Sequence, residues 1–535
     1  MRIFLIKLFF FCLIATRAVA TTLPEPVSEA LKRAHIPLSS VGIVVQEAHE
    51  TTPIISLNAG RAMNPASTMK LLTTFAALET LGPAYRWKTE AYLNGKLEDG
   101  VLQGDLVFKG YGDPKLTVEQ FWMWLRELRQ RGLREIRGDI VLDHSFFESV
   151  SQDPAEFDNN PTRAYNVGTS ALLLNFNAMH LHLIPNDHST TALLEPELAG
   201  YTLLNRITTS TRLHCGGEDA YKAHLDGHNI VLEGKIPAAC GEADDYFSLL
   251  PQDEYFFAVF SGLWQELGGT LQGKLRSGTA PVDQVPFSKY VSPPLSEVIR
   301  DINKFSNNIM ARQLFLTLGT AETAKDVVHA DAAHVSQSAV GLLPSDSEDS
   351  RDDFSRAQAL SETPILAGQE GGDTADADSS VPLVPMVPAA VGVPLPENIA
   401  RSTAVMRQWL KTQQLQFPEL VLENGAGLSR KERISPLHLA ELLQRATSSP
   451  FSAELEASLP ILGMDGTVKK RFKDNEIAGY AHLKTGSLEG VKSIAGYVKA
   501  HSGKQWVVVF IVNHPNAALA QPAQDALIEW LQKGY

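Results

Sequence analysis

The sequence predicts an α/β (α+β) protein whose main antiparallel sheet is assembled from both ends of the chain and flanked by helices. Three observations carry this. Short β-branched runs stand near the beginning, at Val41–Val45 and Ile54–Leu57. A Gly-turn pair of extended segments and an unbroken apolar run, Trp506–Val512, stand near the end. Between them apolar residues recur at helical spacing, through Leu71–Leu78, Leu295–Leu316 and Ile399–Leu410.

Each element has a local reason. Residues 1–20 read as a leader to be cleaved after Ala20. Arg2 and Lys7 supply charge, Leu8–Ile14 is apolar, and Ala18-Val19-Ala20 is a small-residue cleavage pattern. Val41–Val45 and Ile54–Leu57, separated by polar residues and Pro53, read as a hairpin. Leu71, Leu72, Phe75 and Leu78 mark a helix that stops near Gly82-Pro83. Residues 85–145 are strand-rich, with turns at Asn94-Gly95 and Gly110–Pro114 and one helix over 121–133. Residues 165–250 are short strands and loops. Helical spacing returns at Ile299, Ile302, Phe305, Ile309, Met310 and Leu314. Residues 321–396 break it: Ser345–Ser350 and 373–380 are acidic and small, Val381–Pro396 is Pro- and Val-rich, and aromatics are nearly absent. Such a segment cannot bury enough apolar surface to fold alone and is expected to be a disordered insertion. Tyr480–Thr485 and Val491–Val498 form a second hairpin, Trp506–Val512 a buried strand and Ala523–Gln532 a last helix.

Composition narrows the function classes. The chain has 535 residues, 44% hydrophobic and 20% charged, with net charge −14. It is too long for one ordinary domain. It carries no basic stripe to follow phosphates, so no nucleic-acid partner is expected. Beyond the leader no stretch nears the roughly 20 apolar residues a membrane span needs. The processed protein is expected to be soluble, with at most peripheral membrane association. Of three cysteines, Cys12 leaves with the leader; Cys215 and Cys240 remain as an even pair in an exported chain, which suggests a disulfide.

One tetrad carries chemistry. Ser67-Thr68-Met69-Lys70 follows Asn64-Pro65 at the start of a helical run, so Ser67 and Lys70 share a face. A desolvated lysine beside a hydroxyl is a general base, and it turns a weak nucleophile into a reactive one. The tetrad alone is weak, because such a match arises by chance in a chain this long. Ser306-Asn307-Asn308 and Lys484-Thr485-Gly486 follow it in order, giving Ser-x-x-Lys, Ser-x-Asn and Lys-Thr-Gly. Ser56-Leu57-Asn58 also matches the second element but precedes the tetrad within a strand. In this reading Ser67 attacks a carbonyl and Lys70 takes its proton. Ser306 relays the proton to the leaving amine, and Asn308 holds the peptide and orients Lys70. Lys484 and Thr485 bind a carboxylate, and Gly486 lets substrate lie against the strand edge. The N–H groups of Ser67 and Ser487 supply an oxyanion hole worth about 3 kcal/mol per donor. No cofactor and no metal are called for.

These residues, with Tyr165–Leu172, Asn424–Arg430 and Asp465-Gly466-Thr467, resemble the low-molecular-mass class C penicillin-binding proteins. Those are D-alanyl-D-alanine carboxypeptidases/endopeptidases of the DacB type, peptidase family S13. The resemblance implies a penicillin-binding-protein/β-lactamase-like transpeptidase domain, 21–90 with 288–535. It implies two inserted β-rich domains, 91–170 with 262–287 and 171–261. It implies a periplasmic enzyme acting on peptidoglycan peptides, with β-lactam antibiotics as covalent inhibitors and a homodimer allowed. Ser67 would be acylated by the penultimate D-alanine, and water would release it. The same site would cut D-alanyl-diaminopimelate cross-bridges, and the acidic loop Asp153–Asp158 could meet the diaminopimelate amine. Two positions depart from the family pattern: Asn307 where aspartate is frequent, and Asn424 where aspartate is usual. The rival functions are a β-lactamase, against which the long interval between Lys70 and Ser306 argues, and a non-catalytic peptidoglycan-binding protein of the same fold.

Overall fold

A computed structural model describes residues 23–148, 153–210, 221–320 and 397–534. Its five-stranded antiparallel sheet joins the two ends of the chain, in the order Ala481–Leu488, Val491–Lys499, Gln505–Asn513, Val41–Glu47, Ile55–Leu57. Val41 pairs with Val512 and Glu47 with Trp506, so the late apolar run is the central strand and the early one its neighbour. Both expected hairpins are present.

The central strand has no polar face because the sheet is covered on both sides. Val507, Val509 and Ile511 face helices Lys70–Leu81, Leu295–Lys304, Asn308–Leu318 and Pro436–Thr447. Trp506, Val508, Phe510 and Val512 alternate onto the other face, against helices Glu25–Arg33 and Gln521–Gln532. Each fully buried side chain of this strand contributes roughly 1.5–3 kcal/mol relative to exposure. This burial holds the edge strand Ala481–Leu488 in a fixed place.

Residues 88–143 and 270–291 share a seven-stranded sheet, with helix Val118–Gln130 and helix Gln252–Glu266 packed through Phe121, Trp124, Phe256 and Phe260. Two three-stranded sheets occupy 179–247. The helical run from Leu295 is two helices, broken at Phe305-Ser306-Asn307. Asn307 caps the second: its Oδ1 accepts from Met310 N at 3.0 Å. The expected insertion at 321–396 and the leader at 1–20 lie outside the described residues. Cys240 is disulfide-bonded, while Cys215, its expected partner, lies outside them too. Among the described residues no helix is long and apolar enough to cross a membrane.

Candidate active site

Ser67 sits in one 3-10 turn, Ala66–Met69, that runs straight into helix Lys70–Leu81. The turn is set by what precedes it. Pro65 O accepts from Thr68 Oγ1 at 2.7 Å and from Ser493 Oγ at 2.6 Å, which ties the turn to the sheet. Asn64 Oδ1 accepts from Ala66 N at 2.9 Å, and its Nδ2 donates to Ser429 O at 2.8 Å. Asn64 is itself held by Asn513 through both backbone groups. These bonds fix Ala66 at φ +46°, a left-handed conformation costing an alanine about 1–3 kcal/mol. The strain falls on the residue before Ser67.

Lys70 is fully buried, and its Nζ meets three acceptors: Ser67 Oγ at 3.0 Å, Asn308 Oδ1 at 2.6 Å and Ala426 O at 2.5 Å. A neutral amine has two N–H groups and one lone pair. The amide and carbonyl oxygens take the two hydrogens, which leaves the lone pair for the Ser67 hydroxyl. Burial, then the nearby charge of Lys484, hold the Lys70 pKa well below its ordinary value; Glu432 opposes them and Arg312 reinforces them.

Lys484 is also fully buried and donates to Ser306 Oγ at 2.8 Å and to Thr485 O at 2.8 Å. Burial brings its pKa down to about 7. Ser306, at φ +57°, occupies the break between two helices, and Asn308 opens the second. Direct contacts thus join Ser67 and Asn308 to Lys70, and Ser306 to Lys484, while the charge of Lys484 is felt at Lys70. Thr485 Oγ1 pairs with Thr467 Oγ1 at 2.7 Å, and Ser487 Oγ accepts from Lys492 Nζ at 3.1 Å. Gly486 packs against the protein itself. A Cβ there would lie 2.2 Å from Ser493 Oγ, 2.8 Å from Pro65 O and 2.9 Å from Ser67 N. The missing side chain lets the turn that carries Ser67 approach the strand.

Several residues that the motifs do not contain complete the site. Glu432 is buried under the loop that carries Ala426. Its Oε1 accepts from the amides of Glu423, Asn424 and Gly425 at 2.8–3.1 Å, and its Oε2 from Gly427 at 2.9 Å. Asn424 Oδ1 accepts from Ala426 N and its Nδ2 donates to Leu428 O at 2.8 Å, a bond an aspartate carboxylate could not make. A Cβ on Gly427, at φ +77°, would lie 1.9 Å from Ala66 O. Lys304 Nζ donates to Asp465 Oδ2 at 2.6 Å, which seats Asp465-Gly466-Thr467 beside Ser306. Arg312 donates to Tyr165 O and Val167 O, both at 2.8 Å, and Gln313 exchanges two bonds with the Ser170 backbone. The Tyr165–Leu172 block therefore braces the helix of Asn308.

In the acidic loop, Asp158 accepts from Tyr165 OH at 2.7 Å, Asn166 Nδ2 at 2.8 Å and Asn160 N at 3.0 Å. The Arg430 guanidinium stacks over the neighbouring Phe157 ring, 5.1 Å from its centre. Among the described residues no group of three or more His, Cys, Asp or Glu is placed to hold a metal ion.

Comparison with known proteins gives a consistent picture. Residues 23–342 and 383–534 match the D-Ala-D-Ala carboxypeptidase 3 (S13) family. The D-alanyl-D-alanine carboxypeptidase DacB of Haemophilus influenzae is 23% identical over 479 residues, 89% of this chain and 85% of that protein. The D-alanyl-D-alanine carboxypeptidase of Actinomadura sp. is 25% identical over 535 residues, 96% of this chain and 85% of that one. The crystal structure of penicillin binding protein 4 (dacB) from H. influenzae has the same fold, with TM-score 0.66 and 21% identity, covering 95% of this chain and 99% of that one. The form of that protein complexed with a β-lactam gives TM-score 0.62 at 20% identity, covering 94% and 99%.

Proposed function

Because the chain belongs to the D-Ala-D-Ala carboxypeptidase 3 (S13) family of serine-type carboxypeptidases, we propose that Ser67 is its acyl-enzyme nucleophile and Lys70 its general base. The observation that carries this is the Lys70 amine, 3.0 Å from Ser67 Oγ, with its other two contacts on Asn308 Oδ1 and Ala426 O. The substrate is the peptidoglycan stem peptide. Ser67 Oγ attacks the carbonyl of the penultimate D-alanine and its proton passes to Lys70. The oxygen's negative charge falls to the N–H groups of Ser67 and Ser487, the first of which lies beside the strand carrying the second. Ser306, bonded to Lys484, relays that proton from Lys70 to the nitrogen of the departing amine as the C–N bond breaks, and terminal D-alanine leaves. Water then hydrolyses the ester. Lys484, with Thr485, receives the terminal carboxylate, and Asn308 holds the peptide amide. A β-lactam ring, opened by the same attack, leaves Ser67 acylated.

The catalytic part in this reading is 21–90 with 288–535, and the inserted parts are 91–170 with 262–287 and 171–261. The leader pattern at 1–20 supports export of the enzyme to the periplasm. The same site cleaves D-alanyl-diaminopimelate cross-bridges, with the loop around Asp158 next to Arg430 available to the amine-bearing end. The test is digestion of purified monomeric and cross-linked muropeptides by wild type and Ser67→Ala, with intact mass after penicillin. Wild type should release D-alanine and gain one stable penicillin adduct, and Ser67→Ala should do neither. Rapid turnover of the drug would favour a β-lactamase. An absent adduct in wild type would leave only a binding protein.

A further inference from the structure

A third lysine, which no motif contains, stands beside the edge strand of Lys484. Strand Val491–Lys499 pairs with strand Ala481–Leu488 so that Lys492 lies directly across from Ser487. Side chains opposite one another in a pair share a face of the sheet, as do side chains two apart along one strand. Thr485, Ser487 and Lys492 therefore share a face, and Lys484 points to the other. On the shared face Leu483 and Ile494 are buried in the cluster that includes helix Gln521–Gln532, and that helix carries Asp525. Asp525 is already engaged: its Oδ1 accepts from Arg471 Nε at 2.7 Å and from Arg471 Nη2. Lys492 is half-buried. Burial, then the charge of Arg471, lower its pKa, and the charge of Asp525 opposes them. Two cations thus share one carboxylate, and among the described residues Lys492 makes no ion pair.

The bond that Lys492 does make sets how Ser487 can act. Lys492 Nζ donates to Ser487 Oγ at 3.1 Å. A hydroxyl that accepts from an ammonium keeps its own hydrogen for another acceptor. Among the described residues nothing takes that hydrogen, and Ser487 is exposed. Thr485 is similar. Its Oγ1 pairs with Thr467 Oγ1 at 2.7 Å, and two hydroxyls joined by one bond have a second hydrogen to give. Two hydroxyl hydrogens and an unpaired cation on one accessible face suit a ligand made of acceptors, which is an anion. Lys484 supplies only part of the charge such a ligand needs, because with its pKa near 7 it is about half neutral at neutral pH. Lys492 is less deeply buried than Lys484 and keeps its proton more firmly.

We propose that Lys492 is a positioning and specificity-determining residue: it turns the Ser487 hydroxyl hydrogen outward and adds positive charge, so that the site prefers a peptide whose departing residue ends in a free carboxylate over the same peptide ending in a carboxamide. This rests on the reading that seats the terminal carboxylate at Lys484 and Thr485. A carboxylate accepts from both hydroxyls and is attracted by the cation, whereas a carboxamide turns N–H groups toward donors and carries no charge. Lys492 acts through Ser487 and through its field, without bonding to the peptide.

The experiment is titration calorimetry on the full chain carrying Ser67→Ala, at neutral pH, with an N-acylated D-Ala-D-Ala peptide and its C-terminal carboxamide. The carboxylate form should bind more tightly. Adding Lys492→Met should lower the carboxylate-to-carboxamide affinity ratio about tenfold, and adding Lys492→Arg should hold it within about twofold. The ratio is the readout because a merely structural loss at Lys492 would weaken both peptides together. If the methionine variant does not fold, Lys492→Gln, which keeps a donor for Ser487 without the charge, carries the same test. Equal affinity for the two peptides, a ratio that Lys492→Met leaves unchanged, or one that Lys492→Arg lowers as far as Lys492→Met does, overturns the proposal. Turnover of either peptide by the Ser67→Ala chain would instead strike the reading of Ser67, and the ratios would still decide that of Lys492.

Discussion

Substituting Lys484→Met asks what a buried ammonium costs the folded chain. Lys484 is 0% exposed and its pKa falls to about 7, against 10.5 for the free side chain. Below about pH 7 both folded and unfolded chains hold its proton. Between 7 and 10.5 the unfolded chain still holds it while the folded chain has shed it, so wild-type stability rises with pH across that window. The window spans about 3.5 pH units at 1.36 kcal/mol each, or roughly 5 kcal/mol in full. From pH 7 to pH 9 the gain is about 2 kcal/mol, since the group starts half-protonated. Methionine has no proton to shed. It also loses the bonds to Ser306 and Thr485, but that loss stays nearly constant with pH. The melting temperature of the variant relative to wild type should therefore fall between pH 7 and pH 9, by several degrees at the usual few degrees per kcal/mol. Scanning calorimetry of both proteins at the two pH values reads this. A difference in Tm that does not move with pH would refute the argument, because it would mean that Lys484 carries no depressed pKa.

Three further outcomes follow from the same contacts. Gly486→Ala should slow acylation by penicillin about a hundredfold and cost about 1–3 kcal/mol of stability, since the added Cβ must displace the Ser67 turn by a fraction of an ångström and so disturbs attack geometry; stopped-flow acylation and calorimetry check it. Glu432→Gln should lose about 2–4 kcal/mol, because one amide would face an N–H and three bonds would lose their charge. It should also carry the acid limb of the acylation–pH profile to lower pH, as the Glu432 charge raises the Lys70 pKa. Asn424→Asp should cost about 1–3 kcal/mol, more at alkaline than at acidic pH, by losing the bond to Leu428 O and adding charge beside Glu432; Tm against pH reads it.

What could be read from the residues alone was what side chains do at fixed spacing. Ser67 and Lys70 lie three apart at a helix start, and that spacing is sufficient to bring them together. The central strand was legible because only a doubly covered strand can be apolar at every position. The break at Ser306 was hidden by its neighbour. Phe305 continues the helical spacing of Ile302 and Ile309, yet it is 67% exposed and lies outside either helix. The competing signal was Asn307, a favourable N-cap ahead of Asn308, and tertiary contact to Lys484 made it decisive. The role of Ala426 could not be read at all, since it acts through a carbonyl that any residue carries. Glu432 is nearly as opaque: a glutamate two residues past Arg430 looks like surface until its four amide donors are in view.

The way charge is handled separates Lys70 and Lys484 from a third buried lysine. Lys304 is also buried, and it is ion-paired with Asp465 at 2.6 Å. Lys70 and Lys484 lie in the same interior, and among the described residues neither makes an ion pair. Their partners are a carboxamide, two hydroxyls and two carbonyls, all neutral dipoles. The carboxylate that does bear on Lys70, that of Glu432, spends its lone pairs on four backbone amides. A carboxylate bonded directly to Lys70 would hold the ammonium charged and deny Ser67 its base. Neutral acceptors orient the amine without raising its pKa, and the like charge of Lys484 lowers it further. The folded state therefore carries an electrostatic penalty at two buried lysines, and in the proposed reaction that penalty is what lets Lys70 take the Ser67 proton.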